Sequence, residues 1–294
     1  MNMKIPGPTS PPSQAGFSLL ELVIVCAILM IVLGAVFNGI NLVIQRSQAE
    51  QTKVDLTQEG REFVDEFERD LHQAGYPNCR MIATPLAASN CPAYYSSTDP
   101  VALNPLVAVG LVSVSNTQIV FEGDVDGNGV VDTVRYQLVD LAGNNPPTGT
   151  CPCTIRRSQT RKVDNTTAWS QELQNVVNSG QPTGYAPYGN GLPIAGNTAW
   201  GDTNTNYYAA ISSFKDFPVF QAYDQGGDII PLPVDNTSTG GSATLNCGLG
   251  SNTSCVKSIR LTINLLANAT TGVDLKTKVR PVTTLVGDAR LVNN

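Results

Sequence analysis

A single carboxylate, Glu21, stands inside an otherwise apolar stretch and needs an explanation. The stretch runs from Phe17 to Ile44 and contains 28 residues with one formal charge. As a helix it would reach about 42 Å, which is longer than the hydrocarbon core of a bilayer requires. Because an ionised carboxylate at that depth costs about 3 kcal/mol or more, we expect Glu21 to have a specific partner and a function.

The stretch offers no side chain as that partner, but an α-amino group would serve. Cleavage between Gly16 and Phe17 would create an ammonium group four residues before Glu21, about one helical turn away. The amine could pair with Glu21 of the same chain. It could equally pair with Glu21 of a neighbouring subunit, but only when the two chains stack in register.

A second set of chemically suited residues lies in a loop that begins at Asp124. Acceptor side chains occupy positions 1, 3, 5 and 9 of the loop, and a glycine occupies position 6. Calcium takes six to eight oxygen ligands, and a main-chain carbonyl at position 7 would add one. The candidate ligands are Asp124, Asp126, Asn128, Val130 and Asp132.

The loop departs from an EF-hand at position 12, where Arg135 replaces the expected bidentate Glu. Strand-like patterns flank it, so an EF-hand fold is excluded. Asn128-Gly129 between apolar runs also predicts a β-hairpin turn, and both interpretations can hold together. We expect no required cofactor. A calcium ion here, with Glu122 or water completing its shell, would bind weakly and stiffen the hairpin.

Six of the seven cysteines lie downstream of the apolar stretch, and an even set after an export element predicts disulfides in an oxidising compartment. Pairing Cys79 with Cys91 and Cys247 with Cys255 would close short loops, each contributing about 2 to 3 kcal/mol. Cys151 and Cys153 would then remain, and a bridge across one residue would be strained. The six candidates are Cys79, Cys91, Cys151, Cys153, Cys247 and Cys255.

Composition argues against catalysis and against nucleic-acid binding. The chain has one histidine and a net charge of −6 with no basic stripe. It has no Gly-x-Ser-x-Gly sequence, no phosphate-binding loop and no paired carboxylates outside the Asp124 loop. Hydrophobic residues make up 41% and charged residues 14% of the sequence, which favours a loop-rich extracytoplasmic β protein.

The elements that would position these residues follow from periodicity. Apolar residues recur at helical spacing from Val54 to Leu71, and Gly75-Tyr76-Pro77 predicts the end of this amphipathic helix. The charged residues between Glu59 and Asp70 are interpreted as a solvated face. Strands are predicted over residues 106–114, 119–121 and 130–139, and the alternation over 259–265 predicts a half-buried strand.

Gly16-Phe17-Ser18-Leu19-Leu20-Glu21-Leu22 resembles the processing signal of type IV pilins and of type II secretion pseudopilins. The resemblance implies that prepilin peptidase cleaves after Gly16 and methylates Phe17, and that Glu21 guides assembly. It also implies other minor and major pilins and an inner-membrane assembly platform as partners. The chain would cross the inner membrane once before assembly, and would then belong to a pilus in the periplasm and at the cell surface.

The same resemblance implies an α+β pilin fold, in which a long N-terminal helix packs on an antiparallel β-sheet with long loops and disulfides. The predicted parts are a leader peptide over 1–16, a transmembrane and assembly helix over 17–45, and an amphipathic helix over 46–74. A β-rich extracytoplasmic domain over 75–294 follows, with a loop insertion at about 178–206. Ala35-x-x-x-Gly39 would permit close helix packing in the membrane.

The C-terminal strand pattern, Val256-Lys257-Ser258-Ile259-Arg260-Leu261-Thr262-Ile263, is similar to that of PilW-type minor pilins and J-type pseudopilins. The Asp-rich loop that leads into 134–138 is also similar. The resemblance implies a minor pilin that primes assembly or caps the tip of a type IV pilus. The alternatives are a type II secretion J-type pseudopilin, and a tip adhesin that acts through the 178–206 insertion.

Overall fold

The computed structural model describes residues 18–82, 103–140, 142–147, 153–164, 166–178, 218–230, 232–235, 252–267 and 282–292. They fall into two compact units, residues 1–47 and residues 48–294. The described elements are one long α-helix, ten strands and a 3-10 turn. Their bounds are α1 Leu19–His72, β1 Gly110–Val114, β2 Gln118–Gly123, β3 Asp132–Val139, β4 Cys153–Arg161, β5 Trp169–Val176, β6 Phe220–Tyr223, β7 Ile229–Ile230, β8 Val234–Asp235, the 3-10 turn Asn252–Cys255, β9 Ser258–Leu266 and β10 Val282–Arg290.

The helix α1 is a single element of 54 residues. It contains no proline, and it continues through Gly34 and Gly39 without a break. It ends at His72, as the Gly75-Tyr76-Pro77 sequence predicts. The physical reason is a change of hydrogen-bond partner, because the Gly75 N–H donates to the carbonyl oxygen of Glu122 at 2.8 Å instead of continuing the helical ladder.

The ten strands form one antiparallel sheet in the second unit, in the order β7-β6-β9-β5-β4-β3-β2-β1-β8. The last strand, β10, pairs with β9 along the whole length of both strands. The opposite edge of β9 is shared by two strands. The first half of β9 pairs with β6, and its C-terminal end pairs with β5 at Leu265.

The strand predictions agree with β2, β3 and β9. The predicted alternation appears in the burial of β9 as far as Ile263, after which Asn264 is buried as well. The first strand is shorter than predicted, since β1 begins at Gly110 and not at residue 106. Residues before it have other partners. The Ala108 N–H donates to the carbonyl of Pro77 at 2.9 Å, and the Val109 N–H donates to the carboxylate of Glu122 at 3.2 Å.

The core of the second unit lies between the C-terminal half of α1 and the sheet. The Phe67 ring meets Tyr136 of β3 edge-on at a centroid distance of 5.3 Å and lies 5.7 Å from the Phe220 ring of β6. Phe63 meets the same Tyr136 ring at 5.8 Å. All four aromatic residues are buried. The predicted α+β fold, a long N-terminal helix packed on an antiparallel sheet, is therefore confirmed.

Candidate functional site

Glu21 lies in the first turn of α1, where its N–H donates to the carbonyl oxygen of Ser18 at 3.0 Å. The side chain is exposed. Gly16 and Phe17 lie outside the described residues, as does the rest of the predicted leader. The pairing of a Phe17 ammonium group with Glu21, the cleavage after Gly16 and the methylation therefore stay predictions.

The N-terminal half of α1 presents an apolar surface that no described residue covers. Within the described residues α1 is the helix that is long and apolar enough to cross a membrane, and none of its most apolar window is buried. Large side chains are exposed along the whole stretch, from Leu19 at 80% to Ile44 at 48%. A continuous apolar surface of this kind fits a lipid environment or other apolar helices.

The small residues on this surface leave room for close approach. A Cβ placed on Gly34 or Gly39 would meet no heavy atom within 4 Å. The predicted Ala35-x-x-x-Gly39 pair therefore lies on open helix surface, where another helix could come near.

A buried charged cluster fastens the other half of α1 to the sheet. The Asp70 carboxylate of α1 accepts a hydrogen bond from the Tyr136 hydroxyl at 2.7 Å. The same oxygen accepts two from the Arg157 guanidinium of β4, at 2.9 Å and 2.7 Å. Asp70 is 2% exposed. We call Asp70, Tyr136 and Arg157 the clamp.

The protonation states of Tyr136 and Arg157 are set by burial and by the neighbouring charges. Burial and the charge of Asp70 raise the pKa of Tyr136 far above its ordinary value, so the phenol remains a hydrogen-bond donor. Burial opposes the charge on Arg157, but the Asp70 carboxylate and the hydrogen bonds to Asp70 and to the Tyr136 hydroxyl keep the pKa of the guanidinium above its ordinary value. The clamp is thus an ion pair with a neutral phenol.

The interpretation of residues 59–70 as a solvated face is wrong for Asp70. Its position gave a signal, since Phe63, Phe67 and Asp70 follow one another at steps of four and three and so share one face of a helix. A carboxylate on the buried face needs partners. The sequence does not reveal that Tyr136 and Arg157 supply them, because both lie on distant strands.

The Asp124 loop forms the predicted turn between β2 and β3, and its side chains hold its backbone. The Asp124 Oδ2 atom accepts the Gly129 N–H at 2.9 Å, and Asp126 Oδ1 accepts the Asn128 N–H at 3.1 Å. The Asn128 side chain in turn accepts the Val130 N–H at 2.7 Å. Gly129 has a φ of 82°, a left-handed conformation that residues with a side chain adopt only with strain.

The carboxylates of this loop lie close enough to influence one another. Burial first, and then the charges of Asp126 and Asp124, raise the pKa of Asp132, whereas a hydrogen bond from Gln159 opposes the shift. That bond joins Gln159 Nε2 to Asp132 Oδ2 at 2.7 Å.

The expectation that Glu122 would help to complete a calcium shell does not hold. Its carboxylate pairs with Lys162 Nζ at 2.7 Å and also accepts the Val109 N–H. Burial nevertheless raises the pKa of Glu122. Across the described residues, no three Asp, Glu, His or Cys side chains are gathered into a group that could hold a metal.

Of the predicted disulfide cysteines, Cys79, Cys153 and Cys255 lie within the described residues, and Cys79 and Cys153 are buried. Cys91, Cys151 and Cys247 lie outside them, so the pairing stays a prediction. Cys26 is an exposed free cysteine in the apolar half of α1. Of the 178–206 insertion, only Asn178 is described. It lies just after β5, and both the amide nitrogen and the amide oxygen of its side chain form hydrogen bonds with β9.

Residues 11–37 match a model of the prokaryotic N-terminal methylation motif. This match supports a type IV pilin-like or pseudopilin protein. It implies processing by prepilin peptidase and association with other pilins, and the apolar helix near the N-terminus fits a single-pass membrane anchor. Neither the curated proteins nor the solved structures compared with the chain gave a match.

We predict that Tyr136→Phe lowers the free energy of unfolding of the sheet domain by about 1.5 to 3 kcal/mol, because the buried Asp70 carboxylate loses a donor. Thermal unfolding should shift downward by roughly 4 to 10 °C. The matched control is Tyr223→Phe. The Tyr223 hydroxyl donates to Gln221 at 3.3 Å in a half-buried position, and its removal should change the stability by less than about 0.5 kcal/mol. Equal shifts in the two variants would contradict the assigned role of the clamp.

Proposed function

We propose that this chain is a minor pilin that primes the assembly of a type IV pilus or caps its tip. The observation that carries the proposal is the division of α1. Its first half, which overlaps the methylation motif matched over residues 11–37, presents an uncovered apolar surface, and its second half packs on the sheet. The role is structural, and no catalytic activity of the chain itself is proposed.

The division supports a two-stage use of α1. Before assembly the apolar half anchors the chain in the inner membrane, and the β domain stays in the periplasm. During assembly the same surface leaves the lipid and packs against the apolar helices of other pilins. Both environments are apolar, so the transfer costs little hydrophobic free energy, and the surface is suited to each in turn.

During this transfer, Glu21 would set the axial offset between the chain and its neighbour. In the membrane its carboxylate is costly unless an ammonium group neutralises it. The new amine of a neighbouring subunit would meet Glu21 at one axial offset only. An apolar surface alone does not select an offset, so the buried ion pair would act as the specificity element.

The size of the β domain favours a minor over a major subunit. Its sheet has ten described strands, and the domain extends over residues 48–294. A large domain is easier to accommodate at a filament end than at each repeat along the filament. The second candidate function is a type II secretion pseudopilin, because the methylation motif supports both classes. An adhesive role through residues 178–206 has no further support in the described structure.

A deletion strain should distinguish the two candidates. If the chain is a minor pilin, the deletion strain should lose surface pili, counted by electron microscopy, and should keep normal protein secretion. The full-length chain supplied in trans should restore the pili. Normal pili together with a block in protein secretion would contradict the proposal and favour the pseudopilin.

We expect the intact mass of the membrane-extracted protein to correspond to residues 17–294 with one added methyl group. Six cysteines should resist alkylation until they are reduced, whereas Cys26 should react directly once the detergent-solubilised protein is unfolded. A Gly16→Leu variant serves as the control and should keep its leader. An uncut wild-type chain would contradict the processing that the proposal requires.

The substitution Glu21→Ala should preserve membrane insertion but reduce recovery of the chain in sheared filaments by about tenfold or more. A loss of only about 1.4 kcal/mol of pairing free energy would suffice for that effect. The matched control is Glu50→Ala, which removes an exposed carboxylate from the same helix outside the apolar stretch. Normal incorporation of the Glu21 variant would exclude the ammonium pairing.

A further inference from the structure

We propose that the loop from Asp124 to Asp132 binds a divalent cation through hard oxygen ligands, and that the ion is calcium. The observation that carries this proposal is the state of Asp124. The residue is only 7% exposed, and its Oδ1 atom has no hydrogen-bond partner among the described residues. Because a buried carboxylate oxygen is rarely left unpaired in a native protein, it calls for a partner, and a cation is one that suits its charge.

The other carboxylate oxygen of Asp124 already accepts a hydrogen bond. Its Oδ2 atom accepts the Gly129 N–H at 2.9 Å, across five residues of the loop. This bond fixes the carboxylate and leaves Oδ1 as its uncommitted ligand atom. Of the two following acceptors, Asp126 accepts the Asn128 N–H at Oδ1 and the Asn128 side-chain amide at Oδ2, and Asn128 accepts the Val130 N–H at its amide oxygen. An oxygen that accepts one hydrogen bond retains a second lone pair for a metal.

The ligand set differs from the one that the sequence first indicates. Glu122 is excluded because it pairs with Lys162. Asp132 shares its Oδ2 atom with Gln159, so it would join directly through Oδ1 or through a water molecule. Asp124 and Asp126 would then be the two direct carboxylates, since no three acidic side chains are gathered together among the described residues. The Asn128 amide oxygen and the Val130 carbonyl would complete the protein ligands.

The donor types favour calcium over other ions. The loop contains no histidine or cysteine, which zinc and copper prefer. Its oxygens come from a flexible glycine-containing turn, whereas magnesium requires near-octahedral geometry and gives up its waters reluctantly. With Arg135 in place of a bidentate Glu, we expect weak affinity, with a Kd of about 0.1 to 1 mM, as in extracellular modules.

The loop is joined to the end of α1, so the cation would stabilise more than the turn itself. The Asp124 N–H donates to the carbonyl of Tyr76 at 2.8 Å. With the Gln73 side-chain amide assigned so that its NH2 group faces the loop, it donates to the Asp124 and Val125 carbonyls at 2.8 and 2.9 Å. Gly123 packs so closely on the Gln73 carbonyl that a Cβ would overlap it. A cation on this loop would therefore hold β2 against the C-terminal turn of the helix.

The test uses the full-length protein in detergent, freed of metal with a chelator. Calcium chloride is titrated from about 0.01 to 10 mM while thermal unfolding and heats of binding are recorded, with magnesium chloride as the comparison ion. At about ten times the Kd, calcium should raise the unfolding temperature by roughly 3 to 6 °C. Magnesium at the same concentration should raise it by less than half as much.

Two loop variants and one matched control locate the effect. Asp124→Asn should abolish the calcium-dependent shift. Asp126→Ala changes an exposed residue, so this variant should fold normally while losing most of the shift. The control is Asp224→Asn in the β6–β7 turn, where Asp224 also accepts two loop N–H groups, at 2.8 and 2.9 Å, but no alternating acceptors follow. This variant should respond to calcium as the wild type does.

A full calcium response in Asp126→Ala, or no response in the wild type, would overturn the proposed site. Equal stabilisation by magnesium would overturn the assignment to calcium. Either failure would leave the proposed function untouched, because that proposal rests on α1 and its processing and not on the loop.

Discussion

The contact between the second half of α1 and the sheet is the interaction on which the rest of the second unit depends. It combines aromatic rings, Phe63 and Phe67 against Tyr136, with one buried ion pair. The rings supply non-directional hydrophobic free energy. The ion pair adds direction, because Asp70 and Arg157 meet at 2.7 Å in only one rotation of the helix. Leaving either charge unpaired in this interface would cost about 3 to 5 kcal/mol. Packing thus stabilises the contact, and the clamp selects its orientation.

The first half of α1 has the opposite design. Its apolar surface is exposed in the chain alone, so its stability must come from lipid or from other helices. One continuous helix therefore meets two different requirements, and each half of the helix meets one of them. In the proposed function, the sheet domain would be stable before assembly because its helix is clamped locally, and the apolar half would remain available for exchange between environments. The proposed filament function needs both properties in one chain.

A polar chain of contacts connects the clamp with the loop between β2 and β3. Arg157 donates to Gln159 at 2.9 Å, and Gln159 donates to Asp132 at 2.7 Å. The loop is also bonded to the turn that follows α1, through Tyr76. Residues that lie far apart in sequence thus hold the same helix end from two sides.

Most of α1 and its division could be predicted from the sequence, because both depend on local composition. An uninterrupted apolar stretch, the motif around Glu21 and helical spacing up to Leu71 are properties of neighbouring residues. The alternation of β9 is local as well, and its strand was predicted correctly. The start of β1 was not, since Ala108 bonds to Pro77 and Val109 bonds to Glu122, and only the folded chain brings these residues near.

The sequence by itself thus determined the helix, its apolar half, the β-rich remainder and the acceptor spacing of the Asp124 loop. Only the tertiary structure decided which charges are buried and which partners they have. In the sequence Asp70 looks like any other charged residue of the helix, yet in the structure it pairs with Arg157 of β4, 87 residues away. In the sequence Glu122 looks like a candidate ligand of the loop, yet in the structure its carboxylate pairs with Lys162. The physical reason is that the ionic partner of a buried charge is set by strand order and register, which local patterns do not encode.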